Sequence, residues 1–225
     1  MEKIWLKSYP PNMPAEVDLK EFASLKAVLE WGCARYSELP AFSNQGSTIT
    51  YHELDRYSRD FAAYLQNVLG LGKGDRLAIM LPNLLQYPIV LFGALRIGCI
   101  VVNTNPLYTA RELRYQLKDS GATSIVVLEN FAHTLEEVLP DTSVRHVITT
   151  RVGDLLHFPR AQITNFVLEH VRHMVPKWHI DGALTLAEVI DQGAKLALSD
   201  VPLASEDVAF LQYTGGLQEF RKGPF

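Results

Sequence analysis

Short apolar runs separated by helix-length segments constrain the fold of this chain more than any other feature. Four such runs, each rich in Ile, Val or Leu, lie at Arg76 to Leu81, Cys99 to Val102, Ser124 to Leu128 and His146 to Thr149. None of them alternates apolar with polar residues, as a strand with one exposed face would. The pattern predicts an α/β fold, with a doubly wound, mostly parallel sheet flanked by helices, from about Thr50 to Thr150.

Threonine–glutamate pairs mark the starts of three helices, because each pair has the spacing of a capping box. The pairs are Thr50 with Glu53, Thr109 with Glu112, and Thr185 with Glu188. Gly193 is predicted to end the third helix. We expect an earlier helix from Leu19 to Tyr36 and a hairpin from Ala41 to Ile49. The helix after Thr50 is predicted to present one apolar face, made of Leu54, Tyr57, Phe61, Leu65 and Val68.

Composition and charge narrow the class of protein. The chain has 225 residues, 48% hydrophobic and 20% charged, as is ordinary for a folded protein. Its net charge of −4 gives no electrostatic argument for nucleic acid. Cys33 and Cys99 have apolar neighbours and are interpreted as core residues in a reducing compartment. The N-terminus lacks the apolar stretch of a signal peptide, and the apolar region from Leu77 to Val102 is too interrupted to cross a membrane. We therefore expect a cytoplasmic protein.

Residues 151–200 are predicted to form a helical excursion from the sheet. Within residues 162–178, apolar side chains share one helical face: Ile163, Phe166, Val167, Val171, Met174 and Val175. Two interpretations remain open for this face. It either makes a weak peripheral contact with the inner face of the membrane or packs on its own domain.

Most of the remaining polar groups are not predicted to form a functional site. His157, His170, His173 and His179 lack a carboxylate or thiol at ligand spacing, so no metal site is predicted. Four acidic residues are assigned to solvated helix faces: Asp55, Asp60, Glu136 and Glu137. Three residues follow a strand at the sheet edge where open α/β folds bind ligands, although such residues also form turns: Asn103, Asn105 and Pro106.

The candidate site lies near the end of the chain. A buried-looking strand from Val208 to Gln212 is followed by Tyr213, Thr214, Gly215 and Gly216. Small residues after a strand leave backbone N–H groups accessible to phosphate oxygens. This arrangement favours a phosphate-binding loop when its context agrees, and it is otherwise an ordinary turn.

That context is a set of ordered motifs similar to those of the adenylate-forming enzymes. The motifs are Thr50-Tyr51-His52-Glu53-Leu54, Gly74-Asp75-Arg76, Leu81-Pro82-Asn83, the stretch from Leu95 to Pro106, and Tyr213-Thr214-Gly215-Gly216. Within this superfamily, residues 82–121 most resemble bacterial long-chain fatty acyl-CoA synthetases. The resemblance covers residues 1–216 and implies that the chain is an incomplete part of the large amino-terminal domain.

The resemblance breaks after Gly216. The family continues with Thr-Thr-Gly, where this chain has Leu217-Gln218-Glu219, although Lys222-Gly223 match the family's later Lys-Gly by position. Back-translation of residues 217–225 with chosen synonymous codons, preceded by one added A, reads Thr-Thr-Gly-Val-Pro-Lys-Gly-Ala-Leu. Our hypothesis is that a single-base deletion placed this tail out of frame.

The resemblance also implies substrates and cofactors. The family joins a fatty acid to coenzyme A through an acyl-adenylate, with ATP and Mg²⁺. Tyr213, Thr214, Gly215, Gly216 and Lys222 are the implied remnant of the ATP phosphate loop. The family's adenine pocket, metal carboxylate and lysine-bearing lid follow this loop. We therefore expect no complete catalytic set, no productive binding of these ligands, and no ligase activity from this chain alone.

An alternative function is a non-catalytic folded fragment that acts as a binding or regulatory module. Against it, we expect the strand from Val208 to lie without sheet partners and to expose an apolar edge. The predicted division of the chain is an arm and first helix (1–49), a sheet layer (50–150), the excursion (151–200), the start of the phosphate-loop region (201–216) and the out-of-frame tail (217–225).

Overall fold

The computed structural model describes residues 3–16 and 21–213. Its strands are β1 (Pro40–Asn44), β2 (Ser47–Thr50), β3 (Arg76–Met80), β4 (Ile100–Asn103), β5 (Ser124–Leu128), β6 (His146–Thr150), β7 (Leu184–Thr185) and β8 (Phe210–Gln212). Its α-helices are α1 (Leu25–Tyr36), α2 (Tyr51–Asn67), α3 (Gln86–Arg96), α4 (Ala110–Ser120), α5 (Ala132–Val138), α6 (Arg160–Phe166) and α7 (Leu186–Gly193). A five-residue π-helical turn, Val167–Val171, continues α6, and short 3₁₀ turns lie at Ile4–Ser8, Glu129–Phe131 and Leu139–Asp141.

Six strands form one parallel sheet, in the spatial order β7-β6-β5-β3-β4-β8. The four predicted apolar runs are β3 to β6, and helices flank them on both faces, so the predicted α/β class is confirmed. β1 and β2 form the predicted hairpin, separate from the sheet. Its turn places Gln45 and Gly46 at φ values of 47° and 76°, as a tight two-residue hairpin turn requires.

Both edge strands come from outside the predicted sheet layer. β7 pairs with β6 through Ile148 and Leu184, so the chain returns to the sheet within the predicted excursion. β8 pairs with β4, with Val101 opposite Phe210. The expectation that the last strand lacks sheet partners is therefore wrong, because β4 offers its free edge to β8.

The apolar face of α2 forms the centre of one core, although its predicted extent needs correction. Leu54, Phe61 and Leu65 are at most 1% exposed. Val68 is 51% exposed, contrary to the prediction, because α2 ends at Asn67 and Val68 only caps it. The first helix is also shorter than predicted. It begins at Leu25, since the Ser24 hydroxyl accepts a hydrogen bond from the Ala27 N–H and caps the helix there.

The three predicted capping boxes are all present, at the starts of α2, α4 and α7. Gly193 is the last residue of α7, so the predicted end of this helix is confirmed, although Ala194 follows in right-handed helical conformation and no left-handed cap forms. The missing side chain of Gly193 also serves packing. A Cβ at Gly193 would lie 1.8 Å from the Asp60 carbonyl oxygen, so α7 touches the backbone of α2 at this point.

A buried arginine joins the first three helices. The Arg96 side chain, 1% exposed, pairs with Asp55 at 2.5 Å and Glu30 at 3.3 Å, and it donates to the Ser58 hydroxyl at 3.1 Å. The prediction that Asp55 is merely solvated is therefore wrong, because its carboxylate compensates a buried charge. The predicted core positions of Cys33 and Cys99 are confirmed.

Candidate functional site

The carboxyl ends of the parallel strands lie at one edge of the sheet, and polar side chains join them there. Asn103 ends β4 and donates from Nδ2 to the Oε1 of Gln212, which ends β8, at 3.0 Å. The Tyr87 hydroxyl donates to Asn103 Oδ1 at 2.9 Å, and Gln116 Nε2 donates to the Asn103 carbonyl at 2.8 Å. These bonds fix β4 and β8 to α3 and α4 where the predicted phosphate loop begins.

Tyr213 is the one predicted site residue within the described part of the chain. Its hydroxyl donates to Asp119 Oδ2 at 2.5 Å. Burial raises the pKa of Tyr213 most, and the hydrogen bond to Asp119 raises it further. The phenol therefore remains a neutral donor. The other predicted site residues lie outside the described residues: Thr214, Gly215, Gly216 and Lys222.

Asn105 has the turn role that the sequence left open. Its Oδ1 accepts a hydrogen bond from the Leu107 N–H at 3.0 Å, and its carbonyl accepts from Tyr108 N–H at 3.1 Å. These bonds close the turn that carries Pro106 and leads to the cap of α4. The turn interpretation is confirmed for Asn105, whereas Asn103 holds the strand ends together.

A second polar pair extends this edge and was missed in the sequence. Glu129 directly follows β5 and is 7% exposed, and Arg151 directly follows β6. Arg151 Nε donates to Glu129 Oε2 at 2.9 Å, while Gln86 Nε2 donates to the Arg151 carbonyl at 2.8 Å. Their positions in the sequence could have revealed this pair, because a charged residue immediately after a buried strand lies at the ligand-binding edge of such a sheet.

A cleft of about 210 Å³ lies elsewhere, where Cys99 precedes β4 and Val208 and Ala209 precede β8. Its position at the amino edge separates it from Tyr213. Burial raises the pKa of Cys99 to about 12, so its thiol stays neutral. This cleft therefore offers no activated nucleophile.

Residues 3–16 and 21–213 contain neither a metal-binding cluster nor a membrane-spanning helix. No three His, Cys, Asp or Glu side chains converge there in a way that could hold a metal ion. None of the helices in these ranges is both long and apolar enough to cross a membrane.

β8 ends at the polar carboxyl edge of the parallel sheet, and Tyr213 and then Thr-Gly-Gly follow it in the sequence. The family model for AMP-binding enzymes covers residues 29–216, and the chain belongs to this family. It is 51% identical over 223 residues to the long-chain-fatty-acid–CoA ligase of Yersinia pestis. The aligned region covers 99% of this chain and 40% of that relative. The chain thus spans about 40% of the length of these curated relatives.

Solved structures agree on the fold. The anthranilate CoA ligase AuaEII, in complex with anthranoyl-AMP, matches with a TM-score of 0.70 and 17% identity, over 88% of this chain and 33% of that one. A long-chain-fatty-acid–CoA ligase from Archaeoglobus fulgidus matches with a TM-score of 0.68 and 22% identity, over 92% and 37% of the two chains. The sheet described above is therefore part of the adenylate-forming fold.

Proposed function

We propose that the sequence encodes part of an ATP-dependent long-chain-fatty-acid–CoA ligase, and that these 225 residues alone do not catalyse the reaction. The observation that carries the proposal is the end of β8, where Gln212 is bonded to Asn103 and Tyr213 to Asp119. A phosphate loop beginning at Tyr213 starts at the edge where open α/β sheets bind nucleotides. The 51% identity to a long-chain-fatty-acid–CoA ligase supports the substrate class.

The proposed chemistry has two steps. A fatty acid carboxylate oxygen attacks the α-phosphorus of ATP, and the bond to pyrophosphate breaks. The thiolate of coenzyme A then attacks the acyl carbon, and AMP leaves with the bonding electrons. Both steps depend mainly on positioning and on neutralising phosphate charge.

The residues proposed to hold the phosphates are Thr214, Gly215, Gly216 and Lys222. The bonds of Asn103 and Tyr213 orient the strand from which this loop starts. Mg²⁺ would neutralise the triphosphate when bound, but the described residues supply no cluster of carboxylates that fits it. Coenzyme A is likewise given no binding residue. We therefore assign neither ligand to a residue of this chain.

Loss of activity is proposed from the residues after Gly216. Leu217, Gln218 and Glu219 stand where the family has Thr-Thr-Gly, which removes two hydroxyl donors and a glycine. Glu219 also adds a negative charge to the sequence of the proposed phosphate loop, and Coulomb repulsion disfavours phosphate binding by such a loop. A single-base deletion remains our explanation for this change.

Thioester formation tests this proposal. The purified 225-residue chain is mixed with a long-chain fatty acid, ATP, Mg²⁺ and coenzyme A, and acyl-CoA is measured. We expect none from this chain, and we expect it from a gene in which one inserted base restores the family motif. Acyl-CoA made by the 225-residue chain would overturn the loss of activity. Inactivity of a soluble, restored protein would overturn the ligase assignment.

A second candidate is a non-catalytic binding or regulatory module. The pairing of β8 with β4 favours it, because the last described strand has a sheet partner. Differential scanning calorimetry of the chain provides the test. One cooperative transition would support an independent module, whereas a broad transition without a heat-absorption peak would count against it.

The proposed substrate also suggests where in the cell the protein acts. A fatty acid substrate partitions into bilayers, so we place the protein in the cytoplasm with peripheral contact at the inner membrane face. Residues 162–178 are proposed to make this contact.

A further inference from the structure

Residues 194–209, which join α7 to β8, cross the amino edge of the sheet as an extended segment that we call the strap. The end of α2 holds the strap in place. The Ser199 N–H donates to Gln66 Oε1 at 2.8 Å, and its carbonyl accepts from Gln66 Nε2 at 3.2 Å. Asn67 Nδ2 donates to the Ala197 carbonyl at 3.0 Å. The strap is therefore fixed over the strand starts before it enters β8.

The cleft of about 210 Å³ at the amino edge lies beside the strap, between the start of α1 and the end of α3. A Cβ at Gly98 would lie 2.8 Å from Leu203 Cδ2, so the strap approaches the chain closely there. Leu25 and Val208 line the cleft and are 45% and 54% exposed, which shows that it opens to solvent. Four lining residues are polar, and the other eight are apolar or glycine; the polar ones are Ser24, Lys26, Ser205 and Asp207.

The two charged side chains of this lining are both paired within the protein. The Lys26 ammonium bonds the Asp200 carboxylate and also donates to the Val201 carbonyl at 3.1 Å. Lys73 Nζ lies 2.7 Å from Asp207 Oδ2, and this bond holds the pKa of Asp207 below its usual value. An ion that entered the cleft would lose hydration without gaining an unpaired countercharge. The cleft therefore favours an uncharged occupant.

We propose that this cleft binds a small uncharged molecule with a compact apolar body, of the class of monocyclic aromatic alcohols. An apolar protein cavity of about 150 Å³ can hold benzene, so this cleft has room for a ring with a short substituent. The ring contacts the apolar lining, which includes the neutral, polarisable thiol of Cys99. The hydroxyl lies at the open mouth of the cleft and stays hydrated.

The cleft adjoins the strand that leads to the predicted phosphate loop. Val208 and Ala209 line it and directly precede β8. The Ala209 carbonyl accepts a hydrogen bond from the Val101 N–H of β4 at 2.9 Å. An occupied cleft would therefore stabilise the pairing of β8 with β4. Only the consequence for the phosphate loop rests on the proposed function, because binding itself requires no catalysis.

A fluorine NMR titration of the full 225-residue chain tests the proposal with three probes of nearly the same shape. The probes are para-fluorobenzyl alcohol, the para-fluorobenzoate anion and the para-fluorobenzylammonium cation. We expect saturable binding of the alcohol, at least about tenfold tighter than that of either ion, because the ions lose more hydration free energy. No saturable binding of the alcohol, or equal affinity for all three probes, would overturn the proposal.

Two variants locate the bound probe. Ala204→Phe fills the cleft, and Val208→Asp replaces an apolar contact with a hydrated charge, so each should weaken binding of the alcohol by about tenfold. Ala34→Phe and Leu107→Asp are the matched controls, since both residues are exposed and lie outside the lining. Circular dichroism verifies that each variant is folded. Unchanged affinity in both cleft variants would overturn the assignment of the site.

Hydrogen exchange tests the link to β8. Saturating para-fluorobenzyl alcohol should slow exchange of the Val101 amide, which bonds the Ala209 carbonyl, and should leave the amides of β5 and β6 unchanged. Unchanged exchange at Val101 in the presence of saturable binding would overturn this link. Because no thioester is measured, failure of ligase activity would leave these results unaffected.

Discussion

The Tyr213 hydroxyl donates a 2.5 Å hydrogen bond to the carboxylate of Asp119, which lies in the last turn of α4. A carboxylate is unfavourable there, because the carboxyl end of a helix carries partial negative charge. The phenol supplies a compensating donor and at the same time fixes the residue that follows β8. One bond thus stabilises a helix end and the start of the predicted phosphate loop.

Tyr213→Phe tests this bond. We expect it to lower the free energy of unfolding by about 0.5–1.5 kcal/mol at neutral pH, the range for one hydrogen bond. The control is Tyr9→Phe, an exposed tyrosine that should show almost no change. Urea denaturation measures both variants. Equal stability of Tyr213→Phe and wild type would show that the bond contributes nothing.

The same pair predicts a dependence on pH. The pKa of Tyr213 is raised in the folded chain, so its stabilising contribution is complete below the unfolded-state pKa, about 10. The contribution is lost as the pH rises from there towards the folded-state pKa. The stability difference between wild type and Tyr213→Phe should therefore be constant near neutrality and shrink above about pH 10. A difference that grows with pH would contradict the raised pKa.

The pair of Arg96 and Asp55 predicts an order of stabilities. Asp55→Ala leaves the buried Arg96 charge with only Glu30 and the Ser58 hydroxyl, and we expect a loss of about 3 kcal/mol, the lower end for a broken buried pair because the Asp55 side chain is 33% exposed. Arg96→Met should cost less, because Asp55 and Glu30 are partly exposed and water can solvate them. Thermal and urea unfolding compare the two variants. A greater loss from Arg96→Met would show that the packing of the arginine, and not its charge, dominates.

The close contact between Gly193 and the backbone of α2 predicts that a larger residue at this position lowers the stability of the fold. Gly193→Ala should destabilise the chain by about 2 kcal/mol or more, because the new Cβ overlaps the Asp60 carbonyl and must push α7 from α2. Gly72→Ala is the matched control, since a Cβ at Gly72 meets nothing within 4 Å and its φ is not positive. We expect the control to be neutral or slightly stabilising. Similar stabilities for both variants would indicate that α7 can move without cost.

Local signals explain which parts of the fold were predictable. Apolar runs identified β3 to β6, and the Thr–Glu spacing located the starts of α2, α4 and α7, because both signals act over a few residues. The roles of Gly193 and Arg96 depend on which helices touch. No local pattern carries that information, so Gly193 resembled a cap and Asp55 resembled a solvated carboxylate.

The candidate site was predictable to a similar extent. Asn103 was placed at the correct edge of the sheet, whereas the loop predicted after Tyr213 lies outside the described residues and stays a prediction. Its partners come from sequence positions as distant as Tyr87 and Gln212, which only the strand order brings together. The exposure of Ile163 and Phe166 in α6 was equally inaccessible, since helical periodicity defines a face but not what covers it.

The nucleotide sequence from codon 205 through the region beyond codon 225 tests the central claim most directly. We predict that one inserted base after the codon for Gly216 restores Thr-Thr-Gly-Val-Pro-Lys-Gly and opens a long reading frame similar to that of the ligase relatives. A gene that encodes residues 217–225 in a frame that no single inserted base converts to this motif, with no ligase sequence downstream, would contradict it.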